Sequence, residues 1–444
     1  MRDALLLLFI LICLAVAMRY PFVGILTWAW FALLTPHQMA YGVYGLPLNV
    51  IIAGGTLIAV AISGEWRKFR MDGVTALMIA LAAWLCVSQL FSLDPKNSAV
   101  YFDRFIKLLV FVVLIAQMTT DRLRFHALVW MVVLCLGYFA AKGALFTFVT
   151  LGQFRVQGLE NTILEDNNHM GIALATLLPM ILYLHGEAKR HIVRLGLITL
   201  FALTIVAILG THSRGAFVAL VVFAGFFWLR SKRKLSILAA LALLLVPAIA
   251  FMPAKWTERM ETITQAGADA SFMGRVDAWV INAKLALAHP VTGAGLRNSY
   301  QKEIAATVDL ERSESAKAAH SVYFEMLGGA GFIGLAIYLS LLATAFLAAL
   351  SLHLRRSDPS VEPWMARFGY FAQMSLAVFG VGGATVSIEM WDGYLIVIAL
   401  IAALTKIEKA SARTLPEAAP NERYSWRIKA RGGPLRPKPS RSQP

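Results

Sequence analysis

Along this chain, runs of predominantly apolar residues recur from one end almost to the other, and short polar stretches separate them. Most of the runs are long enough to cross roughly 30 Å of hydrocarbon as a helix. They fall at 4–18, 21–35, 46–63, 73–92, 103–118, 125–149, 169–185, 192–210, 215–230, 235–252, 321–351, 366–387 and 389–405. The apolar positions are continuous rather than alternating, which excludes a transmembrane β-barrel. The pattern therefore predicts an all-α, polytopic membrane protein with about 12–13 transmembrane helices.

One stretch breaks the pattern. From Phe251 to His320 the chain is polar, and over 252–319 it carries eight Lys/Arg against eight Asp/Glu, a balance expected of a folded loop. Within it, Phe272 to His289 places Trp279, Ile281, Leu285 and Leu287 among polar residues, the spacing of an amphipathic helix that can lie along a membrane surface. Pro290 ends that helix and Gly293-Ala294-Gly295 marks a turn.

The charged loops supply the topology. Basic residues cluster at Arg67-Lys68-Arg70, Arg122/Arg124, Lys189-Arg190/Arg194, Arg230/Lys232-Arg233-Lys234, Arg355-Arg356 and the C-terminus. Two spans separate each cluster from the next, and the positive-inside rule puts all of them in the cytoplasm. The long loop and the segments 94–102, 152–169, 211–214 and 387–391 then lie outside. An outside N-terminus gives thirteen spans. An inside N-terminus gives twelve, if the first two runs form one hairpin or re-entrant element.

Composition agrees: 58% of residues are hydrophobic, 15% are charged and the mean hydropathy is +0.65, where a soluble domain carries about 25% charge. Cys13, Cys86 and Cys135 all fall in apolar spans, with neither a disulfide framework nor zinc spacing. Leu5–Ala17 has some signal-peptide character, but another apolar run follows it directly, so we read it as a retained helix. From Lys406 onward, ten Lys/Arg face three Asp/Glu among Pro, Ser and Gly. This predicts a disordered basic cytoplasmic tail drawn to anionic lipid rather than to nucleic acid.

Four polar clusters share the outer face: Arg155 with Glu165–His169, then His212-Ser213-Arg214-Gly215, then Gly274-Arg275-Val276-Asp277, then His320-Ser321. Arg214 opens a span. It can serve as a snorkelling anchor or, with small neighbours Ser213 and Gly215, as a planar fork for phosphate oxygens. Arg275 reads either as a surface ion pair with Asp277 or Asp269 or as a second phosphate ligand. His320 joins the long loop to a span and can act as a proton acceptor or as a packing or capping residue. His169 and His212 are intermediate, and the remaining histidines sit at loop edges. No metal motif, D-x-D or Walker sequence is present, so neither a metal nor another cofactor is expected.

In order, Gly210-Thr211-His212-Ser213-Arg214-Gly215-Ala216, Gly274-Arg275 followed by Trp279, His289–Leu296, and Ala319-His320-Ser321-Val322-Tyr323-Phe324-Glu325 with Gly331-Phe332-Ile333-Gly334 resemble the O-antigen ligase family of bacterial membrane glycosyltransferases. That family also includes O-antigen polymerases and protein O-oligosaccharyltransferases. The N-terminal part, with Pro21-Phe22-Val23-Gly24 and Trp28-Ala29-Trp30, resembles the O-glycosylation ligases found with exosortase A systems. Where the family pattern often has His-Asn, Ser321 follows the histidine here.

The resemblance implies metal-independent, inverting transfer of a glycan from undecaprenyl diphosphate to an acceptor hydroxyl at the periplasmic face of the bacterial inner membrane. Arg214 and Arg275 would hold the diphosphate, and His320 would take the acceptor's proton. Arg155, Asn167, Asn168, His169, Ser213 and Arg297 would contact substrate. The acceptor would be lipid A core, a protein or a polysaccharide. The implied organisation is 1–124 as subgroup-specific helices, 125–405 as the ligase-like domain with its loop, and 406–444 as the tail. Two alternatives stand beside it: a polymerase of the same superfamily, and a transporter, the latter disfavoured by charge-poor span interiors and the absence of internal repeats.

Overall fold

The computed structural model describes residues 2–414, apart from 231–232, 262–269 and scattered positions between 237 and 249. The chain is an all-α polytopic membrane protein, with no strand among the described residues. Its helices are α1 (Arg2–Arg19), α2 (Pro21–Leu34), α3 (Leu48–Ser63), α4 (Gly73–Leu90), α5 (Pro95–Met118), α6 (Arg122–Val149), α7 (Asn167–Glu187), α8 (His191–Gly210) and α9 (Arg214–Arg230). After the incompletely described segment come α10 (Ala254–Glu261), α11 (Ala270–Ala288), α12 (Lys302–Ala306), α13 (Leu310–Ser313), α14 (Val322–Leu354), α15 (Pro363–Gly382) and α16 (Asp392–Thr414). Five of these, α4, α6, α7, α8 and α14, are long and apolar enough to cross a membrane, and α2 and α3 are shorter apolar helices.

Each predicted span is occupied by a helix except 235–252, much of which lies outside the described residues. Acidic residues set several starts. Asp72, Asp94, Asp121 and Asp166 each accept hydrogen bonds from backbone N–H groups of the turn they cap, which satisfies donors that a helix leaves unpaired. The tail expected from Lys406 begins as helix, because α16 runs on to Thr414 with Glu408 paired to Arg355 at 2.8 Å. The rest of the tail lies outside the described residues.

The loops sort into two ends of the bundle. At one end Arg124 pairs with Glu65 at 3.1 Å, Arg122 and Arg367 both pair with Glu187, and Lys406 pairs with Asp72 at 3.4 Å. These contacts join the basic loops to one another. At the other end His212 donates to the Gly152 carbonyl, Asn167 to Thr211, Asn298 to Ser92, and Arg297 to Ser387. Every loop read as extracytoplasmic thus meets another of its own group. Tyr44 at this end contacts Asn161, and Asp3 lies against Gly42. The N-terminus therefore shares the end of the long loop, and α1 and α2 are separate antiparallel helices.

Helix α7 packs among α6, α8, α9 and α15, while α14 packs against α4, α11 and α15. Helix α14 breaks at Gly331, where φ is 72° and ψ is −174°. The polar turn after α11 docks into this break: Ala294 N–H bonds Gly328 C=O at 2.8 Å, Gly295 N–H bonds Gly329 C=O at 3.0 Å, and Phe332 N–H bonds Pro290 C=O at 2.9 Å. Ser88 and Trp84 of α4 take carbonyls that the break exposes. Neighbouring side chains that satisfy freed backbone groups make a broken helix tolerable at membrane depth. The loop is thereby fixed to the bundle.

Candidate active site

Three segments distant in sequence meet above α7 and α9. The first is the start of α7. Asp166 caps it by accepting from the N–H groups of Asn168 and His169, and Asn167 reaches across to donate to the Thr211 carbonyl at 2.8 Å. A Cβ on Gly171 would lie 2.6 Å from Ala216 Cβ, so α7 and the start of α9 touch closely here. Ser213 is buried and its Oγ accepts from Ala216 N–H at 3.2 Å, a helix cap rather than an open ligand.

The second segment is the 3₁₀ turn Gly383–Thr385 after α15. A Cβ on Gly215 would lie 2.2 Å from Thr385 Oγ1, and Arg275 Nη1 donates to the Thr385 carbonyl at 3.4 Å. Thr385 therefore stands between the residue next to Arg214 and the guanidinium of Arg275. Of the two surface partners considered for Arg275, Asp277 pairs instead with Arg312 at 3.3 Å, and Asp269 lies outside the described residues.

The third segment carries His320. The residue before it is held at both of its backbone polar groups: Trp279 Nε1 donates to the Ala319 carbonyl at 2.7 Å, and the Ala319 N–H donates to Glu325 Oε1 at 2.9 Å. His320 itself has φ 47°, and His212 and Arg297 share this left-handed region at 53° and 57°. Non-glycine residues adopt it at a cost of about 1–3 kcal/mol and keep it only where surrounding contacts over-determine it.

A cavity of about 250 Å³ opens between these segments, lined by Arg155, Asp166, Asn167, Asn168, Arg275, Lys317 and His320. The Lys317 ammonium lies over Gly274, where a Cβ would come within 2.1 Å of Nζ. Three cations thus face one carboxylate. Burial, then Arg275, then His169 depress the His320 imidazole to about 4, so it is neutral at pH 7. Asp166 is held below the ordinary carboxylate range: burial works to raise it, but His169 and the capping bonds outweigh that.

A second cavity of about 410 Å³ shares Asp166 with the first and holds His169, Arg297 and Arg104. Arg297 is clamped there to Glu389 at 3.1 Å and to the Ser387 carbonyl at 3.2 Å. Arg214 lines neither cavity but opens α9 beside Thr385. No group of three His, Cys, Asp or Glu side chains among the described residues is arranged to hold a metal ion.

Residues 199–339 match the O-antigen ligase family. The match takes in Arg214, Arg275, Arg297, Lys317, His320 and the Gly331 break. Residues 1–189, which supply Arg155 and the start of α7, match a family of unknown function. No curated protein matches the chain.

Several residues at the site are ones that sequence reasoning passed over as site members. Lys317 and Asp166 line the cationic cavity, Thr385 accepts from Arg275, Glu325 holds the residue before His320, and Glu389 clamps Arg297 in the second cavity. Glu325 carried a signal, an acid opening an apolar span five residues after His320. Thr385 carried none.

Proposed function

We propose that this protein transfers a glycan from undecaprenyl diphosphate to an acceptor hydroxyl at the site end of the bundle, with inversion and without a metal. The observation that carries this reading is the cavity in which Arg155, Arg275 and Lys317 converge on a neutral His320. A diphosphate leaving group gains negative charge as its bond to the anomeric carbon breaks. Fixed cations in a water-poor pocket favour that state most. The acceptor oxygen attacks the anomeric carbon, its proton passes to the His320 imidazole, and the bonding electrons leave on the diphosphate. Arg214, at the start of α9, would act on the same leaving group together with the positive end of the helix dipole.

The positive-inside rule favours the extracytoplasmic end for the site, and the family resemblance makes that the periplasmic face of the bacterial inner membrane. Lipid A core, a protein or a polysaccharide would supply the hydroxyl, and the N-terminal resemblance favours the subgroup found with exosortase A systems. Full-length protein, undecaprenyl diphosphate-linked oligosaccharide and each acceptor class would be combined in the presence of a chelator. We expect release of undecaprenyl diphosphate with glycan on one acceptor, and loss of at least a hundredfold in His320→Ala and Arg275→Ala. Transfer that requires added metal, or full activity in His320→Ala, would overturn the mechanism.

A further inference from the structure

His169 takes no part in the transfer step above, yet both its backbone and its ring are tied down. In the first turn of α7, its N–H donates to Asp166 Oδ1 at 3.3 Å. Its ring Nδ1 lies 2.7 Å from the Ile163 carbonyl oxygen. A carbonyl only accepts, so Nδ1 carries the proton and the lone pair of the neutral ring sits on Nε2. That nitrogen is buried and has no hydrogen-bond partner among the described residues.

His320 has the complementary need. Its ring lines the first cavity, while its Nδ1 is buried without a partner among the described residues. Nε2 is therefore the nitrogen open to the cavity. To take a proton there, Nε2 must hold the lone pair, which puts the ring proton on Nδ1. A buried N–H with no acceptor is costly, so this tautomer needs an acceptor beside Nδ1. His169 stands there, with ring centroids 6.3 Å apart and ring planes at 57°. Arg155, Arg275 and Lys317, which share the cavity with His320, can only donate. The remaining charged group, Asp166, already receives the Asn168 N–H, the Asn168 amide and the His169 N–H on Oδ1.

We propose that His169 is a positioning residue for the base: its Nε2 accepts from His320 Nδ1–H and thereby fixes the tautomer in which His320 Nε2 can act. The order is set by the Ile163 carbonyl, which orients His169, which in turn orients His320. His169 keeps its own proton throughout. The acceptor's proton moves to His320 Nε2, and His169 steadies the resulting imidazolium through Nδ1–H. The present separation exceeds a direct hydrogen bond; catalytic contacts of this kind are often long in the free enzyme and tighten when substrate binds. The proposal rests on the glycosyl-transfer reading above. It also assigns part of the base to residues 1–189, which match the family of unknown function rather than the ligase family.

The test uses full-length protein in detergent, labelled with ¹⁵N-histidine, and two-bond ¹H–¹⁵N correlation spectra at neutral pH. The His320 signals are those lost in His320→Gln. Wild type should show the Nδ1–H tautomer at His320, and His169→Phe should shift it toward Nε2–H. His169→Gln can donate its amide to Ile163 and accept through its oxygen, so it should keep the wild-type tautomer. In transfer assays kcat should fall by at least about thirtyfold in His169→Phe, with the donor's KM within about twofold, and His169→Gln should recover most of the loss. The spectra need no turnover. A tautomer shift in a protein that transfers to no acceptor would keep the histidine pairing and remove only the transfer reading. An Nε2–H tautomer in wild type, or no shift in His169→Phe, overturns the proposal. So does a shift in Asp166→Asn without one in His169→Phe, which assigns the acceptor to Asp166. Equal loss of kcat in the Phe and Gln variants also overturns it, because that marks a packing role.

Discussion

His169 and His320 approach each other with ring centroids 6.3 Å apart, and each keeps one buried ring nitrogen without a hydrogen-bond partner, Nε2 of His169 and Nδ1 of His320. His169 Nδ1–H donates to the Ile163 carbonyl at 2.7 Å, which leaves the lone pair of the neutral ring on Nε2. The pair lies where the two polar cavities adjoin, at the point where a proton would move during transfer.

The depressed value of His320, about 4, makes a kinetic prediction. In the empty site burial and positive neighbours disfavour the imidazolium; under the proposed mechanism a bound diphosphate would offset those neighbours and raise the value. The acid limb of kcat/KM, which reports the free enzyme, should fall near 4, and the acid limb of kcat should lie at higher pH. Arg275→Gln removes a like charge and should move the free-enzyme limb upward. Coincident limbs in wild type would contradict this coupling. The same group affects stability. An unfolded chain protonates the imidazole near about 6.5, so between that value and about 4 the unfolded state binds more protons. Stability is then lost as pH falls through this window, and His320→Gln should flatten the loss in thermal-unfolding profiles.

Glu325 holds Ala319, the residue that precedes His320. Its Oε1 accepts from Ala319 N–H at 2.9 Å, Tyr300 Oη at 2.7 Å and Ser387 Oγ at 2.6 Å. Glu325→Ala would leave three donors unpaired in a closed site, at about 1–3 kcal/mol each where they stay dry. We expect a clear fall in thermal stability and at least a tenfold fall in kcat, with the donor's KM little changed because Glu325 does not line the cavity that holds Arg155, Arg275 and Lys317. Glu325→Gln retains an acceptor oxygen and should recover most of kcat. A change confined to donor KM would show that Glu325 acts on the diphosphate instead.

Much of the fold was legible because hydrophobic runs and capping acids are local signals. The helix over Ala270–Ala288, its end before Pro290 and the turn at Gly293–Gly295 follow from spacing and residue type alone. The alternation of basic loops anticipated which loops would meet, as Arg122 with Glu187 and Asn298 with Ser92 show. The site was legible only in part, because its partners come from distant segments. Arg155, Asn167, Asn168, Arg275 and His320 line one cavity, with Asn167 also tying two loops, but Arg297 is clamped to Glu389 in the second cavity and Ser213 is a cap. No local pattern marks Thr385 as the bridge between α9 and Arg275, since that role exists only once α15 and α11 are packed.

The approach of Gly215 to Thr385 offers a test of that bridge. A methyl at residue 215 would sit 2.2 Å from Thr385 Oγ1 and 3.0 Å from its Cβ, so the turn must shift, and with it the carbonyl that receives Arg275. We expect Gly215→Ala to lower kcat/KM at least tenfold. Thr385→Ala removes the nearest atom, so the double variant should recover part of that loss. Simple additivity in this cycle would mean that the two positions act independently.

Gly331 is where the loop and the bundle are joined, and its substitution should separate site assembly from helix formation. Its backbone at φ 72° and ψ −174° is open essentially to glycine alone, and a Cβ there would lie 2.4 Å from the Val291 carbonyl oxygen. Gly331→Ala therefore meets both backbone strain and a clash with main-chain atoms that cannot rotate away. The helix on either side retains its own hydrogen bonds, so helical content by circular dichroism should change little. What should fail is docking of the Pro290–Gly295 turn, and with it the placement of Arg297 and the His320 segment. Hydrogen–deuterium exchange should rise at Ala294, Gly295 and Phe332, whose N–H groups bond Gly328, Gly329 and Pro290, and transfer should be lost. Unchanged exchange at those amides in a folded Gly331→Ala protein would show that the break in α14 does not hold the loop.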